Sequence, residues 1–291
     1  MLSLHTNNAA LSAQSSISKT QGTLSTSMTR LSTGYRINSA MDDAAGLQIA
    51  TRLNAQTSGM TVAMSNTQNS TSMLQTAMGA FNEVTNMLVR MKDLATQAAD
   101  ASSSANDKTA MQAEYNALGQ ELYNVMTNTT FGGTKLLGKG SAAADGTLST
   151  TMTFQIGADA SEKMDVNLSG NMSTLNTALS NVSKNFATAA STGASELTAS
   201  ANATITLLST AIDNVSTVNS ALGAAANRLD HINNNLANIS SNTKAASGRI
   251  MDTDFATESS SMTASQMLLQ AGTAMLKQSN SMSSMVMSLL Q

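Results

Sequence analysis

The sequence predicts a mainly α chain: an elongated antiparallel bundle of long helices of the coiled-coil kind, with a small β-hairpin region and with the N- and C-terminal helices paired. Three observations predict it. From Leu197 to Ile250, apolar or small residues recur at alternating spacings of four and three, through Leu208, Val215, Leu222, Leu229, Leu236 and Ile239. That is the seam of one continuous helix, roughly 80 Å long at the rise of an α-helix. From Met60 to Ala98, two rows of sevens run side by side: Met60, Thr67, Leu74, Phe81, Leu88, Ala95, and Ala63, Ser70, Ala77, Val84, Met91, Ala98. Between the two long stretches the period drops to two, with Met152, Phe154, Ile156 and then Met164, Val166, Leu168 alternating with polar residues. A polar loop holding Gly157 and Asp159 joins these runs, so they read as a hairpin.

Taken in order, the chain begins with a helix whose seam is Ala10, Ala13, Ile17, Thr20, Leu24, Met28, Leu31 and Tyr35, stopping near Ser32-Thr33-Gly34. Gly at that point permits a backbone turn that other residues resist. Ser39-Ala40-Met41-Asp42 has the S-x-x-D form of a capping box, and a short helix through Leu47, Ile49 and Leu53 is expected after it. Asp42 and Asp43 do not make an acid/base or metal pair, because neighbouring helical residues point about 100° apart. The helix from Met60 closes at the Ser/Asn-rich turn 101–106, where Ser104-x-x-Asp107 opens a third helix with seam Met111, Tyr115, Leu118, Leu122 and Val125. The hairpin follows Phe131-Gly132-Gly133, and being marginal alone it must pack on the helices. Residues 169–196, with a weak pattern at Leu175, Leu179, Val182 and Phe186, read as a loose connection or a short helix. After Ile250, the run Met251-Asp252-Thr253-Asp254-Phe255 interrupts the register and places acids to cap the last helix. That helix carries Ala264, Leu268, Ala271, Met275, Met282, Met285 or Val286, and Leu289. Leu269, Leu276 and Leu290 widen its stripe, so two of its faces need partners.

The seam of 197–250 is expected to be filled within the chain by 60–98 and 111–125, leaving the unfilled faces at the two ends. The expected assembly interface is therefore Ala10, Ile17, Leu24 and Leu31 on the first helix and Leu268, Met275, Met282, Val286, Leu289 and Leu290 on the last.

Composition points the same way. Charged residues are 11% of the chain, where about 25% is usual, and Pro, Cys and Trp are absent. The polar faces are built from Ser, Thr, Asn and Gln, which can pack against copies of themselves without burying unpaired charge. A net charge of −3, with 15 scattered Lys and Arg, gives no footprint for nucleic acid. Without Cys there is no disulfide framework and no thiolate ligand or nucleophile. The stretch Met1 to Asn8 lacks a basic region and an apolar core, so no Sec signal peptide is expected there. No apolar run is long enough for a membrane span. His5 and His231 are the only histidines, no H-E-x-x-H occurs, and no catalytic, cofactor or metal constellation is present.

The stretch Leu31-Ser32-Thr33-Gly34-Tyr35-Arg36-Ile37-Asn38-Ser39-Ala40-Met41-Asp42-Asp43-Ala44-Ala45-Gly46-Leu47 resembles the N-terminal signature of bacterial flagellins. Ala221-Leu222-Gly223-Ala224, Asn227-Arg228-Leu229 and the run from Arg249 to Glu258 resemble their C-terminal signature, and Phe154-Gln155-Ile156-Gly157 is similar to their hairpin start. The Met-rich last helix resembles that of lateral-type flagellins. The resemblance covers nearly the whole chain. It implies an extracellular flagellar filament subunit, a helical homopolymer with 1–40 plus 252–291 as a terminal coiled-coil domain. Residues 41–251 would form a helical rod domain, with the hairpin at about 150–168. The short interval between the long helices implies no sizeable outer domain. Export unfolded through the flagellar type III apparatus is also implied, with a cytoplasmic export chaperone, the filament cap and hook-associated proteins as partners. A host innate immune receptor reads a similar motif in some flagellins; here Arg90, Leu94 and Gln97 match it, while Val89, Lys92 and Asp93 depart. The other reading of Arg90 and Lys92 is as solvated or subunit-contact charges. Two further functions stay open at this point: a hook-filament junction protein, and a secreted membrane-active translocator using the amphipathic last helix. Against the latter, that helix carries only Lys277 on its polar face.

Overall fold

The computed structural model describes residues 7–138, 146–187 and 195–289, leaving out the side chains of 187, 283, 284 and 286–289. The described chain is mainly α. Its helices are α1 (Asn8–Thr33), α2 (Ala44–Ala99), α3 (Ala105–Asn128), α4 (Ser169–Val182), α5 (Lys184–Ala187), α6 (Glu196–Met251) and α7 (Phe255–Leu289). Two antiparallel strand pairs sit between α3 and α4 in sequence: β1 (Thr130–Phe131) with β2 (Thr134–Lys135), and β3 (Thr151–Gln155) with β4 (Lys163–Asn167). The chain divides into two compact units, Met1–Thr57 with Ser241–Gln291, and Ser58–Ser240. These divisions fall inside the long helices α2 and α6.

The second unit is built on the two seams that the periodicity marks. Leu74, Phe81, Val84, Leu88, Met91, Ala95 and Ala98 of α2 are buried in one core with Leu208, Ala211, Val215, Val218, Leu222 and Leu229 of α6. Tyr115, Leu122 and Met126 of α3 join it, as do Met152, Met164 and Val166 of the β3–β4 hairpin. The hairpin pairs Phe154 with Met164 and Met152 with Val166, so one face of each strand lies in the helical core. Gly59 lets the hairpin loop approach α2: a Cβ there would stand 2.7 Å from the Ala158 Cβ.

Two expectations are corrected by these elements, and one alternative is decided. The helix at Leu47–Leu53 and the helix from Met60 are one element, α2, 56 residues long. Nothing between them forces a break: the Thr57 hydroxyl donates to the Leu53 carbonyl at 2.8 Å within the helix, and a lone Gly59 is tolerated there. Of the two readings of 169–196, the short helix holds for 169–182: α4 puts Met172, Leu175, Leu179 and Val182 into the core with none of their surface exposed. Last, the α6 seam slips beyond Leu236: Ile239 is 38% exposed, while Ser240 and Ser247 take the inner positions. A strict seven-residue repeat drifts around a 3.6-residue helix, so a register counted by sevens walks off the buried face.

α3 starts on a complete capping box. The Ser104 hydroxyl accepts from the Asp107 N–H at 3.2 Å, and the Asp107 carboxylate accepts from the Ser104 N–H at 3.0 Å. Ser104→Ala is expected to cost about 1 kcal/mol, lowering the melting midpoint of the second unit by about 2–4 °C in differential scanning calorimetry. At the other side of this helix, Tyr115 donates to the Val182 carbonyl at 2.7 Å. Burial, with the Glu196 carboxylate adding to it, raises the Tyr115 phenol and keeps it a neutral donor.

Candidate assembly surface

Within the first unit, the signature residues build a junction that turns α1 back along α7. Gly34 adopts φ 76°, ending α1, and its N–H donates to the Arg30 carbonyl at 2.9 Å. The carbonyl of Gly34 accepts from the Thr253 N–H at 2.9 Å, and Tyr35 pairs with Asp252 in an antiparallel bridge. The Arg36 N–H donates to the Met251 carbonyl at 2.6 Å and its guanidinium to the Ile250 carbonyl at 2.8 Å. Arg30 ties in from α1, donating to the Arg36 carbonyl at 3.0 Å and facing Glu258 of α7 at 3.7 Å.

Ser39 and Asp42 do not cap a helix. The Asp42 carboxylate accepts from the Asn38 and Ser39 N–H groups at 3.1 and 2.8 Å, closing the turn before α2. Asp43 takes the capping place, accepting from the Gly46 N–H at 2.9 Å. A Cβ at Gly46 would run into the Asp43 carboxylate and approach the Ile37 Cδ1 to 2.8 Å, so any larger residue here must displace both side-chain ends. Asp254 caps α7, accepting from the Ala256 N–H at 3.0 Å and the Thr257 hydroxyl at 2.9 Å.

These bonds hold two carboxyls below the ordinary aspartate value: Asp42 chiefly through the Ser39 N–H, Asp254 chiefly through the Thr257 hydroxyl. A depressed folded pKa contributes stability that is present above the unfolded value and lost as pH falls through the folded one. The junction is therefore expected to be unchanged from pH 7 to 5. Below about pH 4, near the unfolded aspartate value, the amide resonances of Ser39, Ala256 and Thr257 should titrate in an NMR series.

α1 and α7 run antiparallel. Asn7 donates to the Ser279 carbonyl at 3.2 Å at one end, and Arg30 meets Glu258 at the other. Midway, a Cβ at Gly272 would stand 2.9 Å from Ile17 Cγ1, so the glycine admits the isoleucine. Ala10, Ile17, Leu24 and Leu31 are half-buried. Met28 is not on this face: it is 57% exposed, and Ser27 is buried in its place. Ile17, Thr20, Leu24, Ser27 and Leu31 keep an unbroken alternation of threes and fours, which averages close to the 3.6-residue turn and leaves Met28 off the inner line.

The side chains of α7 sort into two faces. Met262, Ser265, Leu269, Gly272, Leu276 and Ser279 are half-buried, while Leu268, Met275 and Met282 are 62%, 67% and 58% exposed. The residues that only seemed to widen the stripe thus form the covered face, and the expected interface residues point outward. The side chains of Val286 and Leu289, and the whole of Leu290, lie outside the described residues. The covered residues keep their own rows of sevens, Met262, Leu269, Leu276 and Ser265, Gly272, Ser279, distinct from the exposed row Leu268, Met275, Met282; spacing separates the two faces but does not say which of them is covered.

Much of the hydroxyl surface of α1 is satisfied within the helix. Along α1 the hydroxyls of Thr20, Thr26, Thr29 and Thr33 each donate to the carbonyl four residues earlier, at 2.8, 3.1, 3.0 and 2.9 Å. Elsewhere, in the second unit, Arg90 donates from Nε and Nη2 to one Glu114 oxygen at 2.9 and 2.7 Å. Gln97 is exposed, whereas Leu94 is only 2% exposed and belongs to the core. Glu114, which the sequence did not single out, is the partner of Arg90. Among the described residues no group of three His, Cys, Asp or Glu is placed to hold a metal ion. No helix among them is long and apolar enough to cross a membrane.

Comparison with known proteins bears on the same segments. The family model for the bacterial flagellin N-terminal helical region matches residues 4–142, and that for the C-terminal helical region matches 205–290. Over their full lengths, this chain and "Flagellin A" of Vibrio anguillarum are 34% identical. It is 33% identical to "Polar flagellin C" of Vibrio parahaemolyticus, again over the whole of both chains. Among solved structures, a putative flagellar hook-associated protein from Vibrio parahaemolyticus aligns with a TM-score of 0.55 at 15% identity, covering 72% of this chain and 100% of that one. That similarity speaks to the fold alone.

Proposed function

The chain belongs to the bacterial flagellin family and is a structural subunit of the flagellar filament, and from that premise we propose that the outward face of α7 is what neighbouring subunits cover. Leu268, Met275 and Met282 supply that face; the expected interface residues Val286, Leu289 and Leu290 lie outside the described side chains. Ala10, Ile17, Leu24 and Leu31 act by holding α1 on the opposite face of the same helix. The observation that carries this reading is the sorting of α7 into one face covered by α1 and another, apolar and more than half exposed, that nothing among the described residues covers. An apolar surface of this extent on a low-charge helix marks an interaction site. In the same proposal, 1–40 with 252–291 form the terminal domain and 41–251 the rod, with no sizeable outer domain. Export unfolded through the type III apparatus, with chaperone, cap and hook-associated proteins as partners, belongs to the same proposal, supported by membership of the family.

Seeding the purified chain with filament fragments and imaging by electron microscopy tests the reading. Growth of helical filaments is the expected result, and soluble monomer at every concentration would overturn it. For an innate immune receptor, the accessible members of the matched motif are Arg90 and Gln97. Purified monomer is expected to activate receptor-bearing reporter cells, and silence at high dose would sink that contact.

A further inference from the structure

The outward face of α7 is chemically unusual. Met267, Met275 and Met282 are 61%, 67% and 58% exposed, and Met285, at 61%, is in line with them. At about 100° per residue these four side chains fall within about 80° of one another around the helix. Elsewhere the methionines are largely enclosed: Met60, Met87, Met126, Met152, Met164 and Met172 are all at most 6% exposed. Met28 on α1, at 57%, and Met41 in the turn before α2, at 97%, complete the exposed set among the described residues. With no cysteine in the chain, the thioethers are the softest nucleophiles it carries.

We infer that the methionine stripe of α7 is a peroxide-sensitive modification site that controls entry into the filament: sulfoxide on the free subunit blocks addition, and addition shields the thioethers from oxidation. This rests on the reading that α7 presents its outward face to other subunits. The chemistry needs hydrogen peroxide as the oxidant. A methionine sulfur attacks one peroxide oxygen; the S–O bond forms as the O–O bond breaks, sulfur gives up two electrons, and the remaining oxygen leaves as water after proton transfer. The product is a polar, chiral sulfoxide where an apolar, flexible side chain stood. Its new oxygen needs a hydrogen-bond donor once buried, and the neighbouring Leu268 supplies none. Exposure sets selectivity, because peroxide reaches the stripe in the free chain and not the methionines of the second unit's core.

The test uses the full chain. Monomer is treated with limiting hydrogen peroxide and seeded, the filaments are sedimented, and sulfoxide is mapped by peptide mass spectrometry in pellet and supernatant. Sulfoxide at Met267, Met275 and Met282 is expected to be depleted about tenfold in the pellet, the discrimination of one disrupted interface anchor. Met41 sulfoxide, away from the stripe, should divide evenly. Even division at the stripe would overturn the inference, and so would equal oxidation of the stripe in finished filaments and free chains. This partition needs no variant. As a second measurement, M267L/M275L/M282L/M285L keeps an apolar face and should polymerise after a peroxide dose that stops the unsubstituted chain; loss of polymerisation at that dose would place the sensitivity elsewhere and overturn the assignment. Failure of untreated chain to form filaments would instead defeat the assembly reading itself, which keeps the two failures apart.

Discussion

A chain ending at Asn280, with Ser281–Gln291 deleted, is expected to lose polymerisation altogether while the second unit melts where it did before. The deleted stretch carries Met282 and Met285, both exposed, and leaves in place the three α1–α7 approaches that fix the pair. Ser279, whose carbonyl Asn7 uses, is retained, as are Gly272 opposite Ile17 and Glu258 opposite Arg30. The main core of the second unit is built between Leu74 and Leu229 and contains none of the deleted residues. Polymerisation is read by light scattering after seeding, and stability by calorimetry of the monomer. Loss of both would show that the end of α7 belongs to the monomer's folded core. A point substitution at Leu268, 62% exposed, should separate the same two properties: Leu268→Ala is expected to shift the melt within about 0.5 kcal/mol and to slow filament growth.

Phe81→Ala is expected to do the opposite. Phe81 is fully buried in the same core as Val84 and Leu88 of its own helix and Val218 and Leu222 of α6. Removing the ring loses its transfer free energy and leaves a cavity that two long helices cannot collapse around, a cost of about 3–5 kcal/mol. For a unit of this size that lowers the melting midpoint by about 6–20 °C. Phe81→Leu keeps most of the volume and should cost clearly less. A shift of under about 1 kcal/mol for the alanine variant would mean that the α2–α6 seam is not the stabilising core and that the burial of this ring is incidental.

The contrast between these two experiments rests on how the chain divides its apolar residues. In α2 and α6 the rows of large residues meet each other, so their burial is complete inside one chain. In α7 the same kind of row is present twice over, and α1, a single helix, can cover only one of them.

Much of this was legible in the sequence. The rows Met60 to Ala95 and Ala63 to Ala98 are buried along α2, with Ser70 half-buried, because apolar spacing reports the face that must leave water. The start of α3 at Ser104, the end of α1 at Gly34 and the β3–β4 hairpin also follow from local rules, in which a cap, a positive φ or a period of two needs no distant partner. Other features were settled by competition among neighbours or by packing. Asp42 spends its carboxylate on the Asn38 and Ser39 N–H groups, and Asp43 caps α2 by accepting from the Gly46 N–H. For α4 the weak pattern left helix and loose connection both open, and the core that Leu175, Leu179 and Val182 enter decided for the helix.

By itself, then, the sequence determined which stretches are helical, where most of them begin and end, and that the last helix has more apolar surface than one partner can cover. Only the tertiary structure decided which of its two faces is covered. Gly272 admits Ile17, and that close approach turns Leu269 and Leu276 inward and leaves Leu268, Met275 and Met282 in water. The physical reason is that hydrophobicity is non-directional and marks both faces alike, whereas the fit of one side chain into the space above a glycine is specific to a single rotation of the helix.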